Sequence, residues 1–216
     1  MRLTHLGHSC LLVEAADARV LVDPGGFSTG FEGLRDLDAI VVTHQHADHL
    51  DPARFADLAR ANPQARVLAD PQSTALLSAQ GFDADATRAG QEIRIAGLTL
   101  TGVGEWHAFN HDQMPTVNNV GIRFTADGEP TLYHPGDAYD GEAGEVDLLA
   151  VPVNAPWTAV RDSIGFVRRV APTRIVPIHD GLLAPPGRAL YLHHIGTFGG
   201  AEVLDLAGRG AVGVDA

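Results

Sequence analysis

The stretch Val41–Asp51, "VVTHQHADHLD", decides how this chain is read. The apolar run "DAIVV" ends in it, and His44, His46, Asp48 and His49 follow within six residues. A short buried strand that stops at a turn has no structural need for three imidazoles and a carboxylate. Imidazole nitrogen and carboxylate oxygen are the donors that zinc and similar ions favour, and a catalytic site of this kind keeps one position open for water. His44 and His46 lie two apart, so on an extended backbone they point the same way. Asp48 and His49 lie past the bend, towards the next helix, and can face a neighbouring ion. The stretch therefore reads as one site facing the strand and a second facing the helix.

Further groups recur wherever a strand is expected to stop. His107 and His111 follow one in "GVGEWHAFNH", His134 and Asp137 another in "LYHPGDAYD", and His179 and Asp180 a third in "VPIHDG". Strand ends of a common sheet lie close together, so these groups can converge on one pocket. Taken singly, His107 is an ordinary surface residue and His179 an ordinary core histidine. With Asp137 and the first cluster they complete a set of seven: His44, His46, Asp48, His49, His107, Asp137 and His179. Two ions about 3.5–4 Å apart can share a hydroxide and a carboxylate, and bound water then has a pKa of about 7. A nucleophile then exists at neutral pH without serine or cysteine. Asp23 in "LVDPGG" has two readings, a turn former or an acceptor that fixes the tautomer of a ligand histidine.

The expected elements support that placement. "RLTHL" and "SCLLVE" read as a hairpin, "RVLVDPGG" as a strand ending at Asp23-Pro24-Gly25-Gly26, "DAIVVTH" as a short buried strand with Ile40 to Val42 as its core, and "ARVLAD", "DLLAVPV" and "RIVPIH" as further strands. "QEIRIAGLTLTGVG" reads as two strands joined at Ala96-Gly97, and "VGIRFTADGEPTLYH" as a hairpin turning at Asp127-Gly128. "DPARFADLARANP" reads as a helix with Asp51 as N-cap and Pro52 at its first position. "PQSTALLSAQG" is a second helix, stopped by Gly81. "WTAVRDSIGFVRRVAP" is a third, with Val160, Ile164 and Val167 on one stripe. "PGRALYLHHIGTFGG" is a fourth, and "AEVLDLA" a final strand. Mixed strands and helices throughout suit an α+β chain of two sheets packed face to face with helices outside.

Composition narrows the function. The 216 residues suit one domain over 1–216 with a single core. No apolar run reaches the roughly 18–20 residues that span a bilayer, and "MRLTHLGHSCLLVE" lacks the layout of a signal peptide. The expectation is a soluble cytoplasmic protein without a membrane partner. Cys10 is the only cysteine, which excludes an internal disulfide and a thiolate cluster. The formal charge is −12 and all 15 basic residues are arginine. No basic stripe exists to neutralise phosphates, which argues against a nucleic-acid partner. A small anionic substrate stays open, because a metal can bind it locally.

"THQHADH" matches the HxHxDH signature of the metallo-β-lactamase superfamily, and "HPGDA" and "VPIHDG" fit its bridging aspartate and final histidine. The chain resembles that superfamily over nearly its whole length. "LGHSCLLVE" and "VLVDPGG" are similar to the branch of small metal-dependent hydrolases that includes ascorbate-6-phosphate lactonase. The resemblance implies a four-layer αβ/βα sandwich with a binuclear site at one edge. It implies that His44, His46 and His107 hold the first metal, that Asp48, His49 and His179 hold the second, and that Asp137 bridges. His107 and His111 compete for the third place at the first metal. His107 follows its strand more directly, which leaves His111 facing the substrate.

The reading is a hydrolase with two divalent ions, zinc first and manganese or iron next, acting on a small ester, lactone or phosphoester. Asp48 orients or deprotonates the nucleophile and His111 serves as a catalytic side chain. The candidate pocket residues are His8, Trp106, Asn118, Asn119, His134 and Trp157. A diiron redox protein is the rival enzyme, since ligand type alone does not select the metal. A non-catalytic metal-binding scaffold is the rival from another class. The histidine-rich "YLHHIG" helix offers an interface for a homo-oligomer.

Overall fold

The computed structural model describes residues 1–215. In chain order, the first half holds β1 (Arg2–His5), β2 (Leu11–Ala15), β3 (Ala18–Val22), β4 (Ala39–Val42), α1 (Phe55–Ala61), β5 (Arg66–Ala69), α2 (Pro71–Ala79) and β6 (Ala84–Ala86). There follow β7 (Glu92–Ile95), β8 (Leu98–Val103), β9 (Gly121–Thr125), β10 (Leu132–His134) and β11 (Leu148–Pro152). The chain ends with α3 (Val160–Val170), β12 (Arg174–Ile178), α4 (Pro185–Gly199), β13 (Glu202–Val203) and β14 (Val212–Gly213). Among the described residues the strands form two sheets, in the orders β14-β1-β2-β3-β4-β5-β6 and β13-β12-β11-β10-β9-β8-β7.

Strand alternation builds three apolar layers. Leu11, Val13, Val20, Val22, Ala39, Val41 and Leu68 point from the first sheet into the gap between the sheets. There they meet Leu98, Leu100, Ile122, Phe124, Leu148, Ala150, Val176 and Ile178 from the second. The intervening residues face outward: Leu12, Leu21, Ile40, Val42 and Val67 pack under Phe55 and Leu58 of α1 and Leu77 of α2. On the other side Tyr133, Leu149, Val151 and Ile175 pack under Phe166 and Val167 of α3 and Leu192 and Ile195 of α4. Each such buried Leu, Ile or Phe contributes about 1.5–3 kcal/mol. The result is the helix–sheet–sheet–helix sandwich expected of this family of folds.

Four elements differ from the sequence reading. The first helix starts at Phe55, not at Pro52. Asp51 does accept hydrogen bonds from the backbone N–H groups of Ala53 and Arg54, but it caps a turn that precedes the helix. "AEVLDLA" contributes only Glu202–Val203 as strand. The last strand is β14, which crosses back to pair antiparallel with β1 and closes the first sheet with the end of the chain. The short β6, parallel to β5, has no pattern in the sequence. No helix among the described residues is long and apolar enough to cross a membrane.

Candidate metal centre

β3 and β4 run parallel, as do β10, β11 and β12, and two antiparallel steps give β8 the direction of β10. Their C-terminal ends therefore meet at one edge of the sandwich. The loops that leave them carry Asp23, the His44–His49 cluster, His107, Asp137 and His179. Donor atoms of His44, His46 and His107 lie within 4.8 Å of one another, as do those of His8, Asp48, His49 and His179, and those of His44, His49 and Asp137. Asp137 stands between the groups: its Oδ1 is 3.1 Å from His49 Nε2, and its Oδ2 is 3.1 Å from His179 Nε2 and 3.4 Å from His107 Nε2.

The second nitrogen of each ring is already committed. Nδ1 of His49 donates to Asp23 Oδ2 at 2.7 Å, that of His107 to the Ala108 carbonyl at 2.6 Å, and that of His179 to the Asn154 carbonyl at 2.6 Å. In the neutral form, the one that can bind a cation, each imidazole has one proton, so each Nε2 then presents a lone pair. Those three Nε2 atoms and Asp137 Oδ1 are buried and have no hydrogen-bond partner among the described residues. Leaving such atoms bare costs about 1–3 kcal/mol each. A convergent set of bare lone pairs fits divalent cations.

Asp23 organises the first sheet's share. Its Oδ1 accepts the Thr43 N–H at 2.8 Å, and its Oδ2 accepts the Thr43 hydroxyl at 2.7 Å as well as His49. With its one proton given to Asp23, Thr43 Oγ1 accepts from His44 Nδ1 at 3.1 Å. His44 Nε2 then carries the lone pair and faces His46 Nδ1, 3.1 Å away. One buried carboxylate thus sets two ligand tautomers, one directly and one through Thr43. Of the two readings of Asp23 the structure shows the acceptor, and the same segment also seats the His44–His49 loop. A Cβ on Gly25 would lie 1.6 Å from the Asp48 carbonyl oxygen, so only glycine lets the two backbones touch. Gly136, next to Asp137, makes room for side chains instead, since a Cβ there would lie 2.2 Å from Asn119 Oδ1 and 2.7 Å from Thr43 Oγ1.

The electrostatics follow from packing several imidazoles around two carboxylates. Burial raises the Asp137 carboxyl, but His49 and His179 outweigh it and hold it well below the usual range. Burial likewise opposes ionisation of Asp48, and its hydrogen bonds to His179 and His8 reverse that and lower its pKa. Burial lowers His179, yet Asp137 and then Asp48 push it up to about 9. His44 is driven well below its ordinary value by burial and by the neighbouring His49.

The pocket residues expected from sequence divide sharply. His8 belongs to the centre, though not as a pocket wall. Its Nδ1 accepts the Gly181 N–H at 3.2 Å, so the proton of the neutral ring sits on Nε2 and is donated to Asp48 Oδ2 at 3.1 Å. Trp157 donates its indole N–H to Asp137 Oδ2 at 2.9 Å. Asn119 is buried beneath the centre, where its Oδ1 accepts the Asp137 N–H at 2.9 Å, and does not reach the mouth. His134 is fully buried with Nε2 against the Ser9 carbonyl at 2.9 Å, a packing role in place of the expected pocket role. Trp106 and Asn118 line a separate depression with Pro71 and Arg88, away from the ligands. The chain brings His107, not His111, to His44 and His46. His111 is exposed and lines the adjoining cavity with His46 and His107. Thr43 went unread in the sequence, although its place directly before the first ligand histidine was the available signal.

Comparisons with known proteins give the family and the fold. A family model described as "Beta-lactamase superfamily domain" matches residues 2–179. Protein Rv0786c of Mycobacterium tuberculosis is 44% identical over 193 residues, covering 88% of this chain and 89% of that protein. A UPF0173 metal-dependent hydrolase of Azorhizobium caulinodans is 31% identical over 211 residues, covering 86% and 89% respectively. Among solved structures, Igni18, described as a novel metallo hydrolase from Ignicoccus hospitalis, superposes with a TM-score of 0.76 at 21% identity over 99% of both chains. The metallo-beta-lactamase fold protein YhfI of Bacillus subtilis gives 0.75 at 17% identity, covering 94% and 95%. With its signature loop, its sandwich and this family match in agreement, the chain belongs to the metallo-β-lactamase superfamily.

Proposed function

We propose that the chain is a metal-dependent hydrolase that holds two divalent ions, zinc first and manganese or iron next, and cleaves a small ester, lactone or phosphoester. The observation that carries this reading is the convergence of the Nε2 atoms of His49, His107 and His179 on the Asp137 carboxylate, His49 at Oδ1 and the other two at Oδ2. His44, His46 and His107 would hold one ion, Asp48, His49 and His179 the other, and Asp137 both. Ions bound there supply a nucleophile from water at neutral pH and an electrophile for the substrate oxygen. The names of the Azorhizobium and Ignicoccus relatives as hydrolases support the same class.

The protein's own groups do the rest. Asp48 is ionised and takes the His8 N–H on Oδ2, which leaves its other oxygen free to orient or accept a proton. Trp157 holds the Asp137 carboxylate through Oδ2, and the Asn119 carboxamide holds the Asp137 backbone N–H. His111, exposed at the cavity beside the first ligand group, is placed to give a proton to a departing oxygen. In the balanced reaction one water adds, the scissile bond to oxygen breaks, and the leaving oxygen keeps one proton.

The test is metal content per chain by elemental analysis after purification without added metal, with His44→Ala beside the wild type, followed by turnover of lactones and phosphodiesters. Close to two zinc or manganese ions, fewer in the variant, with turnover that follows the metal, is the expected result. Two irons with no hydrolysis would replace this reading by the redox one. No metal after reconstitution would overturn both.

A further inference from the structure

The ligand groups open on one side into a cavity of about 320 Å³, walled by His46, His107, His111, Phe109, Met114 and Val117. No arginine lines it, and lysine is absent from the chain. Its other polar neighbours, Gln45, Asn110 and Thr116, are uncharged. The arginine near the centre, Arg188, is committed to Asp180 and Asp205 at 2.7 Å each. The chain as a whole carries a charge of −12, which repels an anion at long range. Large apolar side chains are meanwhile left in solvent around the mouth. Phe109 is 71% and Met114 52% exposed on the cavity wall. Phe27, whose ring is 5.2 Å from that of His8, and Leu182, three residues beyond His179, are exposed as well. Exposed apolar side chains grouped at a cleft signal an apolar ligand.

We infer that this cavity takes an uncharged, apolar substituent next to the scissile bond. The substrate is then a neutral ester or lactone with a short hydrocarbon arm, and Phe109 and Met114 set its preference. The inference rests on the hydrolase reading and narrows it. The ions can hold the one oxygen that reacts, and His111 serves the leaving oxygen, but a second phosphate or carboxylate on the arm would enter a cleft with no arginine or lysine to meet it. That desolvation is not repaid.

The experiment uses the zinc-loaded chain with p-nitrophenyl acetate, butyrate and hexanoate, with p-nitrophenyl hemisuccinate as the charged-arm partner of the butyrate. kcat/KM is expected to rise about threefold per added methylene until the cavity is filled. The hemisuccinate is expected to fall roughly tenfold or more below the butyrate. Phe109→Ala and Met114→Ala, with metal content as in the wild type, are expected to flatten the rise. A second readout is calorimetric binding of acetate, butyrate and hexanoate, where affinity should climb with length and the heat-capacity change become more negative. A flat or falling dependence on length, or preference for the charged arm, overturns the inference while leaving the hydrolase intact. Absence of all turnover would count against the hydrolase reading instead. The calorimetric series would then decide the cavity alone, a rise supporting it and a flat series overturning it.

Discussion

The first sheet delivers His44, His46, Asp48 and His49 from one loop after β4, whereas the second delivers His107, Asp137 and His179 one at a time, after β8, β10 and β12. The two sheets also orient their ligands by different means. In the first, a buried side chain does it: Asp23 holds His49 directly and His44 through Thr43. In the second, backbone carbonyls do it, those of Ala108 and Asn154. A compact loop needs an outside brace to keep four donors apart in angle. Donors arriving from separate strand ends are already spaced by the sheet and need only a tautomer. The orientation of the histidines is therefore open to side-chain mutation in the first sheet and largely closed to it in the second, where side chains hold Asp137 alone, those of Asn119 and Trp157.

Asp137 is the point where the two halves meet, so its loss should be the most severe. Asp137→Ala removes a carboxylate within reach of His49, His107 and His179 together. The expected outcome is turnover below detection and at least one ion lost per chain by elemental analysis. A variant that keeps its full metal content would mean that the two halves do not share a site.

The contrast between side-chain and backbone orientation is sharpened by one pair of substitutions. Asp23→Asn keeps the shape and a residue tolerant of the left-handed backbone at φ +49° but turns an acceptor towards a donor. Metal affinity should fall roughly 10–100-fold, the usual cost of losing an orienting partner. Asn154→Ala keeps the carbonyl that His179 uses, and affinity should stay within about twofold. Competition with a chromogenic chelator measures both. Equal losses would erase the distinction drawn between the sheets.

This division also explains what could be read in advance. The first-sheet ligands were legible because they are adjacent and follow strand periodicity, so local geometry alone separates them into two directions. Asp137 and His179 were legible as strand-end groups, but their meeting depends on sheet order, which the superfamily resemblance supplied. His134 was misread because closeness to Asp137 in sequence says nothing of direction. It ends β10 facing the Ser9 carbonyl, while Asp137 lies beyond a glycine turn. Asn118 and Asn119 were coupled as neighbours, yet consecutive residues face opposite ways. One holds Asp137 and the other lies by Trp106. The strands β6 and β14 have three and two residues, too short for any period to register.

Protons and metal compete for the same nitrogens, which gives the metal-free and loaded forms opposite pH slopes. In the metal-free chain the pKa of His179 is raised to about 9, with Asp137 the chief raising cause against burial. That contribution to stability is complete below the unfolded value of about 6.5 and is lost as pH rises through about 9. Asp48 and Asp137 are shifted the other way, so their contribution holds above the unfolded carboxylate range of about 4 and is lost only in stronger acid. The metal-free Tm should therefore fall between pH 6.5 and 9. Over the same window metal binding displaces the His179 proton, and affinity should rise by up to about tenfold per pH unit for each proton released. Melting curves of both forms across the window test this, and a metal-free Tm that rises with pH would contradict the charge pattern assigned to the centre.

Among the histidines of the centre the smallest effect is expected at His8, and it bears on which imidazoles belong to the metal at all. His8 lies within the second ligand group, its ring 4.0 Å from that of His179, and distance alone would make it a further ligand. The Gly181 N–H says otherwise, because an Nδ1 that accepts leaves Nε2 protonated. A protonated Nε2 has no lone pair for a cation and serves Asp48 instead. His8→Asn suits the left-handed backbone at φ +52°, which asparagine tolerates. It should keep the full metal stoichiometry and lower affinity by about tenfold, the low end of the cost for losing an orienting partner. A ligand would behave differently, with one ion per chain lost and His8→Asn close to His179→Ala in elemental analysis. Stoichiometry, not activity, is thus the measurement that separates a group that holds the ion from a group that holds Asp48 in place.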